Sequence, residues 1–463
     1  MPTSPHRRLA LAWIAGFTLI DSSIVSLALA DIARDFDRPI GELAWISTGF
    51  LLALAASLLA AGRLSDRLGA RLVLTGGAVA FLITTAACGL APTFELLVAA
   101  RVAQGIAGGV LYTVSLAITT TAFAPERRAT AISIYFTSGA LGAVIGPVLG
   151  GVLTDIGGWR LAFLAQLPLP IIVAVMAWVL LPAERGVARK FDVPGVAAAS
   201  LFVVAFVFTM LQVPAAGAGL TVLVGAAVAV TALVAFILRE RSTDEPAVQL
   251  AIFRNPRFVT ATLAGAGAWF AIMAYTIYTA IYLQLGRGME ATPAGLLLLA
   301  GPLVGLLVFP FGGRIVGRLG VDRAQLLGLS VLVTSAVLRA TWNDSTDVSF
   351  IFATNLVTGL GLSVTLVASA TDALSQFAPS EAGTGSAVFN SLRQIGAALG
   401  VALPAVAFEL VAAGSRSPDA VLSGSTGAFL LQIAVLAIPL ALILSRWRSP
   451  RRGSWATREP EAT

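Results

Sequence analysis

The sequence predicts an all-α membrane protein, from its composition, its long apolar runs and the placement of its basic residues. Of its 463 residues, 57% are apolar and 12% are charged, and this charged share is about half the roughly 25% of a typical soluble domain. The mean hydropathy is +0.89. Such a chain cannot build a polar shell in water, whereas helices that face lipid do not need one.

Fourteen apolar runs recur along the chain, each close to the roughly 20 residues that a helix needs to cross a bilayer. Helices are predicted because an open strand edge would leave backbone groups unpaired in lipid. The first run is longer than the apolar part of a signal peptide and is expected to stay as a span. We number these runs spans 1 to 14, near residues 9–30, 43–62, 72–91, 94–117, 130–153, 160–181, 194–213, 218–238, 258–284, 293–313, 324–342, 350–373, 384–411 and 427–446.

The basic residues predict the orientation. With the N-terminus in the cytoplasm, 22 of the 30 basic residues fall in cytoplasmic segments and 5 in external ones. This bias places both termini in the cytoplasm and fits an even number of spans. We expect the membrane to be the cytoplasmic (inner) membrane of a bacterium. It also explains the net charge of +6 without a nucleic-acid partner. The other three, Arg101, Arg339 and Arg393, lie within spans, and Arg339, near the outer end of span 11, is expected to extend its charge to the interface.

The sequence also excludes several kinds of site. Its single Cys, Cys88, lies in an apolar run and its single His, His6, in the N-terminal tail, so no disulfide, metal site or His-based triad is expected in the core. A membrane enzyme would need a cluster of catalytic residues, and a sensor would need a soluble domain. The longest stretch between spans is about 20 residues, and the ionisable residues within spans are isolated, so we predict neither class.

An internal repeat indicates two duplicated halves. We assign spans 1–6 to residues 1–185, two inserted spans to residues 186–245, and spans 9–14 with a cytoplasmic tail to residues 246–463. Three pairs of segments match at offsets of 251 or 254 residues: Gly62 to Gly69 with Gly313 to Gly320, Gly142 to Gly146 with Gly396 to Gly400, and Arg101 to Gly105 with Asn355 to Gly359.

The loop after span 2 combines glycines, an acid and arginines: Gly62, Asp66, Arg67, Gly69 and Arg71. Small residues allow a tight turn between helices, and Asp66 can pair with a basic residue or a helix N-terminus across the seam between the halves. Such a pair would hold one conformation closed and break in the other. The alternative is a basic loop that only sets the topology.

Asp21 in span 1 and Arg101 in span 4 lie at similar predicted depths, about 12 and 10 Å from the outer surface at 1.5 Å per residue. An isolated Asp at this depth costs several kcal/mol, which favours a role in handling protons or substrate. A purely structural ion pair is the alternative.

Other polar residues within spans are candidates for a substrate cavity: Gln104, Tyr112, Tyr275, Asn355, Asn390, Arg393 and Gln394. Gln104 and Tyr112 share one face of span 4 with Arg101. Arg393 lies about 15 Å into the membrane with no acid at a matching depth. It is free to bind an acidic group of a substrate, a backbone carbonyl or water.

Span 5 contains glycines at helical spacing and a proline: Gly142, Gly146, Pro147, Gly150 and Gly151. Glycines spaced in this way give a smooth face for close helix packing, and Pro147 frees a carbonyl and kinks the helix. An ordinary packing face is the alternative.

Together these segments resemble the major facilitator superfamily, of the fourteen-span drug:proton antiporter type. The segments that carry the resemblance are Leu19 to Ala30, Gly62 to Arg71, Arg101 to Gly105, Gly139 to Gly151, Gly158 to Arg160 and Arg393 to Gly396. The resemblance implies a major facilitator fold, with two six-helix bundles and two extra helices between them, and a rocking exchange that exports small amphipathic molecules. The span 5 string is similar to the antiporter motif of exporters.

The resemblance further implies a proton gradient as the energy source, with no cofactor. The expected partners are a small-molecule substrate, protons and the lipid bilayer, and a monomer suffices. An uptake symporter or facilitator on the same fold is the alternative function. Two features depart from the family pattern. Span 10 lacks the acid common in exporters of cationic drugs, which disfavours dicationic substrates, and Gly317 stands where the first half has Asp66.

Overall fold

The computed structural model describes residues 31–37, 40–121, 123–183, 192–216, 219–243, 246, 248–413, 415 and 417–448. Over these residues the chain forms helices joined by short connections, with no strand. The main helices are Ile40–Leu68, Ala70–Gly89, Phe94–Thr121, Arg128–Leu164, Pro168–Leu180, Val193–Ala216, Leu220–Ser242, Pro256–Ile281, Ala291–Leu298, Ala300–Leu319, Val321–Ala340, Val348–Leu374, Ala382–Ala412 and Pro418–Arg448.

Thirteen helical segments in this part of the chain are long and apolar enough to cross a membrane. They coincide in order with predicted spans 2 to 14, so the all-helical prediction is confirmed. Predicted span 1, at residues 9–30, lies outside the described residues. We call the helix ends that are predicted to face the cytoplasm inner ends, and the opposite ends outer ends.

The regular helix is interrupted between spans 5 and 6, within span 10 and at the end of span 9. The backbone between spans 5 and 6 departs from helical angles at Gly157 and Gly158, and Gly158 has a φ of 71°. Span 10 consists of two helices that meet at Leu299. Span 9 ends in one turn of π-helix at Tyr282–Gly286. Gly158 therefore adopts a conformation that residues with side chains rarely adopt.

The two halves repeat the same helix crossings. A Cβ atom added to Gly105 in span 4 would lie 2.3 Å from the carbonyl oxygen of Phe50 in span 2. At the equivalent crossing in the second half, a Cβ atom on Gly359 in span 12 would lie 2.4 Å from the carbonyl oxygen of Gly301 in span 10. Glycine therefore allows both helix pairs to pack backbone against backbone.

The halves meet along two seams. Span 2 packs against span 13 on one side, and span 5 packs against span 10 on the other. The inserted span 7 contacts both span 2 and span 13, so it covers the first of these seams. Span 8 packs mainly against span 7.

Candidate functional site

A cavity of about 620 Å³ lies between the two halves. The described residues of its wall come from nine spans, and span 7 contributes Val207 and Leu211. The wall is mostly apolar, and the only charged residue among the described residues that line it is Arg393. Its other polar lining residues include Tyr112, Tyr275, Ser363 and Gln394. Four of the seven predicted cavity residues, namely Tyr112, Tyr275, Arg393 and Gln394, thus line it.

Arg393 is buried, with 1% of its surface exposed. Its Nη1 donates a hydrogen bond to Asn390 Oδ1 at 3.0 Å, and its Nη2 donates to the Tyr112 hydroxyl at 2.9 Å. Tyr112 belongs to the first half, so the second bond joins the two halves. The guanidinium carbon lies 4.7 Å from the centre of the Trp269 ring, and this cation–π contact stabilises a positive charge that has no ion-pair partner among the described residues.

The other three predicted cavity residues do not line the cavity. Gln104, Asn355 and Asn390 are each 0% exposed. Asn355 donates to the carbonyl oxygen of Leu297 at 3.1 Å, which ties span 12 to span 10. Asn390 accepts the bond from Arg393. These side chains therefore position helices and neighbouring side chains in this conformation.

Arg101 lies behind the cavity wall in a polar network, with 1% of its surface exposed. Its Nη1 donates to Gln104 Oε1 at 2.6 Å, and Gln104 in turn donates to the Thr85 hydroxyl at 2.8 Å. The Phe50 ring, which lines the cavity, lies 4.2 Å from the Arg101 guanidinium carbon. The predicted partner Asp21 lies outside the described residues.

Asp66 joins the two halves at their inner ends. Its carboxylate accepts hydrogen bonds from the backbone N–H groups of Gly383 and Thr384, each at 2.8 Å, and from the Thr384 hydroxyl at 2.6 Å. These residues begin the span 13 helix, so the carboxylate occupies a helix N-terminus, where negative charge is favourable. This is one of the two kinds of partner that the sequence suggested for Asp66.

Both seams are tight at their inner ends. A Cβ atom on Gly62 would lie 2.4 Å from the carbonyl oxygen of Gly383, and one on the equivalent Gly313 would lie 2.5 Å from the Cα atom of Thr130. Around Gly317, which replaces Asp66 in the second half, an added Cβ atom would meet nothing within 4 Å. The first seam therefore has an acid bound to a helix N-terminus, and the second has packing without that acid.

The remaining residues of the loop after span 2 shape the turn. Gly69 has a φ of 88°, a conformation that favours glycine. The Arg71 guanidinium carbon lies 4.2 Å from the Trp178 ring in span 6. Arg67 is exposed in the last turn of span 2.

The glycines of span 5 lie within a continuous helix. The backbone remains helical through residues 142–151, which include Pro147 and Gly151. Gly142, Gly146 and Gly150 are buried.

The prediction for Arg339 was wrong. Its side chain is 0% exposed, and it turns inward instead of reaching the interface. Its guanidinium donates to Thr358 Oγ1 at 2.5 Å and to Gln432 Oε1 at 3.0 Å, and it lies 5.4 Å from the centre of the Tyr275 ring. The repeat contained a signal for this contact, because Arg339 and Thr358 occupy the same positions as Cys88 and Gln104 at offsets of 251 and 254. Cys88 and Gln104 also touch.

An ion pair is present near the outer end of span 6. Arg160 Nη1 lies 2.6 Å from Asp35 Oδ2, and the Trp159 indole N–H donates to the same oxygen at 3.0 Å. The hydrogen bond from Arg160, supported by that from Trp159, holds the pKa of the Asp35 carboxyl below its usual value of 3.8.

No group of three or more His, Cys, Asp or Glu side chains that could hold a metal ion occurs in the described part of the chain. The span 7 contribution to the cavity wall was missed from the sequence. Val207 and Leu211 are ordinary apolar residues, and nothing in their spacing separates a cavity wall from a lipid-facing surface.

Known proteins resemble this chain over most of its length. The family model described as Major Facilitator Superfamily matches residues 11–401. The tetracenomycin C resistance and export protein of Streptomyces glaucescens is 32% identical over 404 residues, which cover 85% of this chain and 74% of that protein. The multidrug resistance protein Stp of Mycobacterium tuberculosis is 30% identical over 390 residues, which cover 83% of this chain and 72% of that protein.

A solved structure shares the fold. The human organic anion transporter MFSD10 (TETRAN) superposes with a TM-score of 0.66, covering 95% of this chain and 100% of that one, at 17% sequence identity. At this identity the likeness concerns the fold alone. The family match, the two relatives and the helix crossings that repeat in the two halves lead to one conclusion: the chain belongs to the Major Facilitator Superfamily, whose members are membrane transporters and not enzymes.

Proposed function

We propose that this protein is a fourteen-span, proton-coupled exporter of small amphipathic molecules in a bacterial cytoplasmic membrane. In this proposal both termini are cytoplasmic, residues 9–30 form the first span, and the proton gradient supplies the energy without a cofactor. A single chain contains the whole substrate path, so a monomer suffices, and no step involves nucleic acid.

The observation that supports this proposal most strongly is a largely apolar cavity between two similar halves, which are joined at their inner ends. The cavity volume of about 620 Å³ is in the range of small-molecule sites. The bonds from Asp66 to the start of span 13 hold the inner ends together. An opposite state, in which these bonds break and the inner end opens, would expose the same cavity to the cytoplasm.

The direction of transport rests on the relatives. The proteins at 32% and 30% identity are named for resistance and export. The glycine-rich string of span 5 also resembles that of exporters. These observations favour export over the uptake alternative.

Asp21 is the proposed proton site. The acid binds a proton from the outer side as substrate is released, and it loses this proton to the cytoplasm as new substrate binds. The Arg101 charge tunes the proton affinity of Asp21 in this scheme. One proton that moves inward through 100 mV supplies about 2.3 kcal/mol, enough for roughly a 50-fold gradient of a neutral substrate.

Membrane vesicles test the direction. Inverted vesicles from cells that express the protein should accumulate an amphipathic fluorescent dye when respiration acidifies their lumen, and a protonophore should abolish the accumulation. Vesicles from cells without the protein are the control. Accumulation only in right-side-out vesicles would overturn export and support the uptake alternative.

A further inference from the structure

The strongest unexplained feature of the cavity is the positive charge in its wall. The backbone of Arg393 lies about 16 Å along its helix from the inner end at Ala382, at 1.5 Å per residue. No described carboxylate forms an ion pair with it, although a buried charge without a partner is costly. Arg339, which lies behind the cavity residue Tyr275, also forms no ion pair with a described carboxylate. The described part of this cavity is therefore electropositive.

Several hydrogen-bond donors around this charge have no acceptor among the described residues. A guanidinium has five N–H donors, and within the described part of the chain Arg393 donates to Asn390 and Tyr112 alone. Its Nε is buried and has no described partner, and the same holds for Asn390 Nδ2 and the indole nitrogen of Trp269. Buried donors are normally satisfied, and a group of donors beside a positive charge matches a negatively charged acceptor.

Aromatic rings surround the same charge. The guanidinium carbon lies 4.7 Å from the Trp269 ring, 5.4 Å from the Phe136 ring and 5.6 Å from the Tyr112 ring. All three side chains also line the cavity. A planar apolar ligand can stack on these rings while its charged end contacts the guanidinium.

We infer that the cavity selects small aromatic acids, with Arg393 as the residue that binds the anionic group. This inference rests on the proposed function and specifies its substrate class. A guanidinium binds a carboxylate through two parallel charge-assisted hydrogen bonds, which are stronger than bonds between neutral groups. The neutral residues in the rest of the described wall add no repulsion against an anion.

A set of three probes with one ring system tests the inference: pyrenebutyrate, its neutral carboxamide and the cationic pyrenylbutylamine. Energy transfer from Trp269 to pyrene reports binding to the purified protein in lipid nanodiscs, and Trp269→Phe identifies the signal of this tryptophan among the 8 in the chain. The wild type should bind the carboxylate at least about tenfold more tightly than the carboxamide, because a hydrogen bond to a charged group is worth about 1.5 kcal/mol or more.

Arg393→Gln should reduce the ratio of carboxylate affinity to carboxamide affinity to about one, because both probes then meet an uncharged side chain. Retained binding of the carboxamide shows that the variant is folded. Arg393→Lys keeps the charge but lacks the fork, and it should retain part of the preference. Equal losses for both probes in Arg393→Gln, or a wild type that prefers the amine, would overturn the inference.

Transport of the same probes separates this inference from the proposed function. Export of the amine or the carboxamide without binding of the carboxylate would overturn the substrate class and leave proton-coupled export in place. Binding of the carboxylate through Arg393 without energised transport of any probe would support the anion site and overturn the export function.

Discussion

Replacement of Asp66 by Ala should shift the protein towards a conformation that is open at the inner end. In the structure the carboxylate of Asp66 accepts two backbone hydrogen bonds and one hydroxyl bond from Gly383 and Thr384, at 2.6 to 2.8 Å. These bonds cross from the first half to the second. They exist only when the inner ends are together, so their loss destabilises one conformation and not the other.

The size of this effect follows from the contacts. Loss of a capping side chain costs about 1 kcal/mol, and loss of a negative charge at a helix N-terminus costs up to about 1 kcal/mol at a partly exposed site. The Thr384 hydroxyl bond adds about 0.5–1 kcal/mol. A total of about 2–3 kcal/mol changes the ratio of closed to open molecules by a factor of roughly 30 to 150.

Distance measurements between spin labels detect this shift. Glu126 and Ser380 are exposed at the inner ends of the two halves and occupy equivalent positions at an offset of 254 residues. Cysteines at these positions, in a background that lacks the buried Cys88, give one label in each half. Asp66→Ala should convert a short main distance into a longer one, and Thr384→Val, which removes only the hydroxyl bond, should cause a smaller change in the same direction.

An unchanged distance distribution in Asp66→Ala would refute the reasoning, because the bonds would then contribute equally to both conformations. Gly317→Ala is the matched control. It alters the equivalent position in the second half, where an added Cβ atom meets nothing within 4 Å, and it should leave the distribution unchanged.

Three further predictions follow. Gly317→Asp should place a second carboxylate near the start of span 5, beside Thr130, and should increase the closed population in the same distance measurement, whereas an increase in the open population would contradict this. Arg160→Gln should lower the melting temperature at pH 7 and have no effect on it well below pH 3.8. The reason is that the pKa of Asp35 is depressed in the folded state, so the ion pair is lost when the Asp35 carboxyl binds a proton. A difference in melting temperature that persists at low pH would assign the effect to packing. Exchange of one exported monoanion for one incoming proton should move two charges across the membrane. At 100 mV the limiting concentration gradient of the substrate should therefore rise from about 50-fold for a neutral substrate to roughly 2,000-fold for the monoanion. Substrate accumulation that does not respond to a clamped membrane potential would contradict this.

The spans could be predicted from the sequence because lipid imposes a strong constraint on length and polarity. Thirteen of the fourteen predicted runs coincide with helices, and the repeat at Gly105 and Gly359 corresponds to two equivalent close crossings. The contact of Asp66 with a helix N-terminus could also be predicted as one of two kinds of partner, because a carboxylate in a tight loop has few possible partners.

The cavity wall was less accessible to sequence reasoning. Gln104, Asn355 and Arg393 share the property of being polar within a span, but only Arg393 lines the cavity. The difference depends on the rotation of each helix against its neighbours, which a stripe of polar residues does not specify. The prediction that Arg339 reaches the interface was wrong for the same reason. Its side chain is buried by Gln432 of span 14 and Tyr275 of span 9, and such long-range packing is not specified by the local sequence.

Transport in proteoliposomes tests most directly whether a proton gradient drives export through Asp21. A dye of fixed charge is presented to proteoliposomes with an acidic lumen, together with protein-free liposomes, while a pH indicator follows the protons. The wild type should concentrate the dye in the lumen as protons leave. Asp21→Asn should only bring the dye to equal concentrations on the two sides of the membrane. A variant that concentrates the dye at the wild-type rate, or a wild type indifferent to collapse of the pH gradient, would contradict the claim.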